Sequence, residues 1–337
     1  MELSVLALSM VMPSLLLLWY FHSRDAYPEP ASVVWRTFGL GVLSAIPVLM
    51  FALPMGTFLE GIDDPFLAGV YEAFVLASIP EEVCKLAVIL WYARRHSAFD
   101  EPMDGLVYGV AASLGFATLE NVLYVAQGGL GVAMMRAVTS IPGHATFGAI
   151  MGYYVGRAHF SRGRARPLLI KALLIPILLH GVYDAPLMIA PRLEGGNGET
   201  IAAGLLTLVP LVLGVSVIAA LRMSRGLRAH QLAAGPLPRV GSVPLPTSSP
   251  GRGRTLGFLL VLVGGLLATA GAVVLVGVLL AMGTGVAEER DAVVEVLVAG
   301  LVVGVLPAVA GVMLFRGGTR RLNRVAATGS QVAERAR

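Results

Sequence analysis

Long, nearly uncharged apolar stretches are the feature that most constrains this chain of 337 residues. A helix needs about 20 mostly apolar residues to cross the hydrocarbon core of a bilayer. The composition agrees with a membrane protein, because 56% of the residues are hydrophobic and only 14% are charged, whereas soluble domains carry about 25% charged residues. We therefore expect an all-α fold, a polytopic transmembrane helix bundle in a lipid bilayer. About nine spans are predicted, near residues 3–21, 32–53, 65–93, 103–127, 131–157, 167–190, 200–221, 257–282 and 292–315.

Basic residues alternate between successive connections and predict the orientation of the bundle. Arginines follow the third, fifth, seventh and ninth predicted spans, whereas the alternate connections are poor in Arg and Lys. Cytoplasmic loops carry the excess of basic residues. The N-terminus is therefore expected outside and the C-terminus in the cytoplasm.

A change in composition predicts the domain organisation. Residues 231–256 are rich in Pro, Gly, Ser and Arg, which is typical of a flexible cytoplasmic linker. The linker would separate a seven-span unit at 1–230 from a two-span hairpin at 257–315 and a basic cytoplasmic tail at 316–337. No phosphate-binding loop or aromatic-basic patch is recognisable, so no nucleic acid partner is expected. No oligomeric state follows from the sequence.

Ionisable side chains are concentrated in predicted spans three to six. Each charge near the bilayer centre costs about 2.5–3.5 kcal/mol on insertion scales. Such side chains are therefore expected to face one another or a water-filled cavity within the bundle. They are Glu72, Glu81, Glu82, Lys85, Glu120, His144, His180 and Asp184.

The spacing of these residues predicts which of them share a helix face. Glu81 and Glu82 lie four and three residues before Lys85, and His180 lies four residues before Asp184. Residues three or four apart are neighbours on a helix. One face of span three should therefore present two carboxylates and an ammonium, and one face of span six an imidazole and a carboxylate.

This set of side chains is typical of a hydrolytic site. A glutamate can deprotonate a water molecule, and two histidines with a carboxylate can hold Zn²⁺ with one position open. Histidine and asparagine could instead donate hydrogen bonds to an oxyanion without a metal. Cys84, the single cysteine, is expected to be a buried, small apolar residue rather than a nucleophile.

Four motifs, in this order, resemble those of the PrsW family of intramembrane proteases. They are "PEEVCK" at 80–85, "FATLEN" at 116–121, "GHATFG" at 143–148 and "HGVYD" at 180–184, with "RDAYPEP" at 24–30 and "MDGLVYG" at 103–109 as further pieces. The likeness covers about residues 1–225. The family is similar to the CAAX-processing and bacteriocin-immunity membrane proteases, but Lys85 and the Glu120-Asn121 pair depart from that wider group and favour PrsW.

The resemblance implies a multi-pass protease of the bacterial plasma membrane that cleaves a single-span membrane protein, typically an anti-sigma factor in regulated intramembrane proteolysis. Glu81 or Glu82 would activate the water. His144, His180 and Glu82 would be the metal ligands, with zinc favoured over a metal-free reaction. Asp184 would orient His180 or join the ligands.

The resemblance also assigns supporting roles. Lys85 would pair with one of the glutamates. Glu120 and Asn121 would either position the other site residues from a second layer of contacts or bind the substrate backbone.

Two other classes of function remain open from the residues alone. A transporter or proton relay also uses intramembrane Glu, His and Lys, although no repeated halves are recognisable in the sequence. Alternatively, the triplet around Lys85 could be an ion pair that locks helices together in a membrane scaffold without catalytic activity.

Overall fold

The computed structural model describes residues 2–161, 163, 165–193, 197–234 and 316, and all regular structure among them is helical. The described residues up to Ile46 and those from Ile62 to Ala234 form one unit, which holds every polar residue of interest. Residues 47–61 belong to a second unit and are described by themselves. The α-helices of the described residues are α1 Glu2–His22, α2 Ala31–Leu43, α3 Ala45–Gly56, α4 Pro65–Tyr71, α5 Ile79–Trp91, α6 Pro102–Val138, α7 Ser140–Phe160, α8 Ala165–Ile189, α9 Gly198–Leu206 and α10 Leu208–Ala234.

Most of the predicted spans correspond to helices of membrane length. Five stretches of the described residues are long and apolar enough to cross a bilayer, and one of them has 59 residues, enough for two crossings. The all-helical architecture is therefore confirmed, whereas the count of nine spans and the orientation stay predictions. The five stretches are Leu6–Ser23, Ala31–Gly61, Pro102–Phe160, Ala165–Arg192 and Gly198–Ala233.

The C-terminal predictions fall on the part of the chain beyond helix α10. The predicted hairpin at 257–315 lies outside the described residues, and so does the tail apart from Arg316. The linker predicted from residue 231 begins inside α10, because that helix continues to Ala234.

Predicted span three is a helix that changes its winding in the middle. Asp64 begins it, since the side chain accepts a hydrogen bond from the backbone of Leu67 at 2.7 Å. A π-helical turn, Glu72–Ser78, then joins α4 to α5. Pro80, which has no N–H to donate, follows directly in the first turn of α5, where that loss costs least. The change of winding places the two carboxylates of the "PEEVCK" motif in this first turn.

Helices α6 and α7 pack with their backbones in contact through glycines. A Cβ atom at Gly109 would lie 2.2 Å from the carbonyl oxygen of Gly148, and one at Gly152 would lie 2.0 Å from that of Gly105. Small residues allow helices in membranes to approach this closely. The contact fixes α7, which carries one of the predicted site histidines, against α6.

Helix α6 is broken at Gly129, whose φ of 67° and ψ of −158° are open to glycine but rarely to other residues. Glu120 and Arg136 lie on either side of the break, and their side chains meet at 2.9 Å. Sixteen residues of straight helix would separate them by about 24 Å. The chain therefore folds back at Gly129. The predicted boundary at 127–131 is this break, and α7 begins only at Ser140.

Candidate active site

Helix α5 presents two glutamates and a lysine to the interior of the unit, as the spacing predicts. Lys85 Nζ lies 2.9 Å from Glu81 Oε2 and 2.8 Å from Glu82 Oε1. Lys85 and Glu82 are fully buried, and Glu81 retains 6% of its surface. A buried charge is tolerated when it is paired and hydrogen-bonded. The three side chains therefore form one electrostatic unit.

The third hydrogen bond of Lys85 reaches a different helix. Its Nζ lies 3.0 Å from Nδ1 of His144 on α7, and the Phe116 ring lies 4.4 Å away as a cation–π partner. An ammonium has only donors, so Nδ1 of His144 accepts and Nε2 carries the proton. All three N–H groups of Lys85 are thereby used, on two carboxylates and one imidazole.

Glu120 of α6 contacts the other nitrogen of the His144 ring. His144 Nε2 lies 2.8 Å from Glu120 Oε2, and Arg136 Nη2 lies 2.9 Å from the same oxygen. This oxygen thus bridges an imidazole and a guanidinium. The result is a continuous chain of polar contacts from α5 through α7 to both parts of α6.

His180 of α8 is held between carboxylates on both sides. Its Nδ1 lies 2.9 Å from Glu82 Oε1, and its Nε2 lies 3.0 Å from Asp184 Oδ2 on the same helix face. Nε2 also lies 3.9 Å from Glu81 Oε2. The ring of Phe147 stacks on that of His180 with 5.4 Å between centroids. These contacts fix the plane of the imidazole within the cluster.

Asn121 lies behind Glu120 and faces another helix. Its Nδ2 donates to the carbonyl of Met10 on α1 at 2.8 Å, and its Oδ1 accepts from Arg136 Nε at 3.0 Å. The amide thus holds the guanidinium that pairs with Glu120. Because both ends of the amide are occupied inside the protein, its contact with the cluster is indirect.

The cluster has the donors that a metal ion needs. Glu81, Glu82, His144 and His180 each offer one ligand atom, and these atoms all lie within 4.8 Å of one another. Oε2 of Glu82 is buried without a hydrogen-bond partner among the described residues, although a buried carboxylate oxygen normally has one. The residues present therefore fit a bound cation.

The net charge of the cluster also fits a bound cation. Among the described residues, its permanent cations are Lys85 and Arg136. With neutral histidines, the network keeps an excess of two negative charges, which one divalent cation would balance. Two protons on the histidines would balance it equally well. The carboxylates in the network are those of Glu81, Glu82, Glu120 and Asp184.

The remaining polar residues of span three lie apart from the cluster or take no part in it. Glu72 pairs with Arg192 at 2.7 Å, and both side chains are about one third exposed. Cys84 is buried at 3% exposure, as expected for a small apolar residue.

Two residues of the site were not predicted from the sequence. Arg136 is a charge inside an apolar stretch, and that signal could have identified it. Arg136 contacts Glu120 only because the helix breaks at Gly129, and no periodicity in the sequence predicts that break. Phe147, three residues after His144 in the "GHATFG" motif, is expected from the sequence to pack in the core, and only the fold brings its ring onto His180.

Comparison with known proteins identifies the family of the site. A model of the PrsW family of intramembrane metalloproteases matches residues 29–215. The chain is 41% identical over 183 residues to the Protease PrsW of Geobacillus kaustophilus, covering 54% of this chain and 79% of that protein. It is 34% identical over 215 residues to that of Oceanobacillus iheyensis, covering 64% and 93%. It is 39% identical over 176 residues to that of Bacillus subtilis, covering 52% and 78%. No solved structure matches the chain significantly.

Proposed function

The chain belongs to the PrsW family of intramembrane metalloproteases, and we propose that its buried cluster hydrolyses a peptide bond in a single-span membrane protein, such as an anti-sigma factor. The protein is a multi-pass bacterial membrane protease whose substrate is itself a membrane protein. These comparisons favour the protease over the transporter alternative.

The observation that carries the proposal is the convergence of four helices on one point. Two glutamates of α5, one histidine of α7 and one of α8 place their ligand atoms within 4.8 Å of one another. A scaffold needs charges paired, but it does not need the unpartnered, buried Oε2 of Glu82. An unpartnered buried oxygen is what we expect of a site that binds a ligand.

We assign the general base to Glu81. Of the two glutamates it is the one that retains exposed surface, whereas Glu82 is fully enclosed. Glu82 Oε1 is also shared by Lys85 and His180. A base must reach the water that it deprotonates, and Glu81 is better placed to do so. Glu82 then holds the neighbouring groups in position.

We assign metal binding to Glu82, His144 and His180, with zinc as the ion that suits a set of imidazole and carboxylate donors. Because Nε2 of His144 carries the proton, the ion would take the place of Lys85 at Nδ1 of that ring. The ion would supply Lewis acidity to the attacking water and to the scissile carbonyl. Asp184 Oδ2, 3.0 Å from Nε2 of His180, keeps a proton on that nitrogen. The ion would therefore bind Nδ1 of His180 in place of its 2.9 Å contact with Glu82 Oε1.

The cations of the cluster position these groups. Lys85 holds both glutamates of α5 through hydrogen bonds of 2.8–2.9 Å. Arg136 holds Glu120, which in turn orients the His144 ring. Asn121 holds Arg136. We therefore assign Glu120 and Asn121 to positioning rather than to gripping the substrate.

The proposed function is tested by co-expressing the chain with tagged single-span membrane proteins of the same bacterium. We expect a new truncated fragment with the wild type. The matched control is Glu72→Gln, a glutamate of the same span that pairs with Arg192 outside the cluster. The fragment should persist in this control and disappear in Glu81→Gln and His180→Ala. A fragment that survives both cluster substitutions would contradict the assignment.

A further inference from the structure

A second buried polar cluster lies at the opposite end of α6 from the site. Asp104 lies in the first turn of this helix, 16 residues before Glu120, which corresponds to about 24 Å of helix. Around it lie Asp25 and Glu29 from the connection between α1 and α2, and Glu101 from the cap of α6. These residues belong to the "RDAYPEP" and "MDGLVYG" motifs or lie beside them, and the proposed protease chemistry does not use them.

Three of these carboxylates converge out of contact with solvent. Asp25, Glu101 and Asp104 are 3%, 7% and 0% exposed. Each offers an oxygen, and these oxygens lie within 4.8 Å of one another. Among the described residues, none of the three forms an ion pair with Arg, Lys or His. Buried carboxylates are costly without a compensating charge.

Each aspartate has one oxygen fixed by donors and one oxygen left over. Asp25 Oδ1 accepts from the Tyr27 backbone at 2.9 Å and from Gln231 Nε2 at 2.6 Å. Asp104 Oδ2 accepts from the backbones of Asp100 and Glu101, both at 2.7 Å. In contrast, Asp25 Oδ2 and Asp104 Oδ1 are buried with no hydrogen-bond partner.

This arrangement is that of oriented metal ligands rather than of a capping motif alone. Capping of α6 explains Asp104 Oδ2 but leaves Oδ1 unexplained. Ligating carboxylates are typically held by hydrogen bonds on their other oxygen. Gln231 of α10 fills that role here, because its Nε2 donates to both Asp25 and Glu101.

We propose that Asp25, Glu101 and Asp104 form a second cation site, which takes a hard divalent ion such as Ca²⁺ or Mg²⁺. The donors are all oxygen, which suits these ions and not zinc. Oxygens on opposite sides of a bound Ca²⁺ are about 4.6–5.2 Å apart, which accommodates the observed spacing. Glu29 and Asp100 form a second group with Asp104 within the same 4.8 Å.

A bound ion would join three separate parts of the unit. Asp25 precedes α2, Asp104 lies in the first turn of α6, and Gln231 lies in the last turn of α10. The ion would therefore crosslink Asp25 to Asp104, and Gln231 would join α10 to them through its hydrogen bonds to Asp25 and Glu101. Its effect is expected on the stability of the folded protein, independent of peptide hydrolysis.

The test is thermal unfolding of the purified full-length protein in detergent after removal of metals with a chelator. Adding Ca²⁺ or Mg²⁺ at millimolar concentration should raise Tm by about 5 °C in a saturable way, since an ion that binds only the folded state stabilises it. The two ions in separate titrations, with choline chloride at equal ionic strength as control, show which is preferred.

The variants Asp25→Asn and Asp104→Asn separate ligation from capping. Asparagine keeps an oxygen that can accept the backbone hydrogen bonds but removes the charge. Both variants should fold, and both should lose the rise in Tm. The response should persist in Asp63→Asn, an exposed acid of another connection, and in His180→Ala of the other cluster. Equal responses in wild type and both asparagine variants, or a loss in His180→Ala alone, would overturn the proposal.

Discussion

Lys85 of α5 and His144 of α7 are joined by a 3.0 Å contact between Nζ and Nδ1, although 59 positions separate them in the chain. Since the ammonium can only donate, it fixes the tautomer of the imidazole. The proton is then on Nε2, which lies 2.8 Å from Glu120 Oε2. A single buried lysine thus sets the orientation of both glutamates of α5 and of one candidate metal ligand.

Replacing Lys85 by Met should destabilise the protein strongly. The change leaves Glu81 and Glu82 buried without their cation, and breaking one partner from a buried ion pair costs about 3–5 kcal/mol. The free energy of unfolding, measured in mixed micelles, should fall by that amount. The double variant Lys85→Met/Glu81→Gln should recover part of the loss, because it removes one unpaired charge. If the double variant is less stable than the single one by the full cost of Glu81→Gln alone, the two residues are not coupled.

Replacing Arg136 by Gln should reduce activity more than stability. Arg136 is the guanidinium partner of Glu120, and its loss frees a carboxylate that orients His144. We expect a reduction of about 10–100-fold in the cleavage rate, as is common when groups that orient metal ligands are removed. The matched control is Arg157→Gln, an exposed arginine that donates to Tyr153. Equal rates in the two variants would remove Arg136 from the positioning network.

Replacing Gly109 by Val should separate α6 from α7. Even the first side-chain atom would lie 2.2 Å from a backbone oxygen of Gly148, and backbone cannot give way as a flexible side chain can. We expect a loss of Tm and of activity together, because overpacking costs about 1–3 kcal/mol or more. Gly226→Ala in α10 has no atom within 4 Å of the new methyl group and should leave both unchanged or raise Tm. A Gly109→Val protein with the wild-type Tm would contradict the packing described.

The pH dependence of stability should contain a contribution from Glu29. Burial raises the pKa of this carboxyl from 4.5 to about 8, and the neighbouring Asp25 adds to the rise. The folded state therefore binds more protons than the unfolded state between these values. Its stability should be highest below pH 4.5 and fall as the pH rises to about 8, by at most about 1.4 kcal/mol per pH unit. Unfolding of metal-free wild type and Glu29→Gln across this range measures it, and identical slopes would contradict it.

Much of this fold follows from the sequence because membrane spans depend on local composition. A run of apolar residues long enough to cross a bilayer has few alternatives to a helix. The polar cluster is predictable for the same reason, since buried charges such as Glu82 and Lys85 must find partners inside the protein. The spacing of His180 and Asp184 also gave their contact directly, because residues four apart meet on one helix face.

The rest depends on long-range geometry that no local pattern contains. Arg136 reaches Glu120 only because the chain folds back at Gly129. The π-helical turn at Glu72–Ser78 was not expected, since its residues read as an ordinary apolar helix. The acidic cluster could not be predicted, because Asp25 lies in a connection and Asp104 in the first turn of α6, and only the packed bundle brings them together.

Metal removal should abolish cleavage. Chelation of the purified protein is expected to stop hydrolysis, and Zn²⁺ but not Mg²⁺ should restore it, because imidazole and carboxylate donors favour the former. The measurements are the metal content and the cleavage rate of the same sample. Protein with less than about a tenth of an equivalent of metal that still cleaves at the original rate would favour the glutamate–water reaction without a metal.

The most direct test of the central claim is the initial rate of substrate cleavage in proteoliposomes containing wild type, Glu81→Gln or Glu72→Gln. Both substitutions replace a glutamate of the same span, but only Glu81 lies in the cluster with Lys85. We predict that Glu81→Gln slows cleavage by about 10²–10⁴-fold, the usual contribution of a general base, and that Glu72→Gln stays within about twofold of the wild type. A Glu81→Gln protein that cleaves at the rate of the wild type would contradict the account.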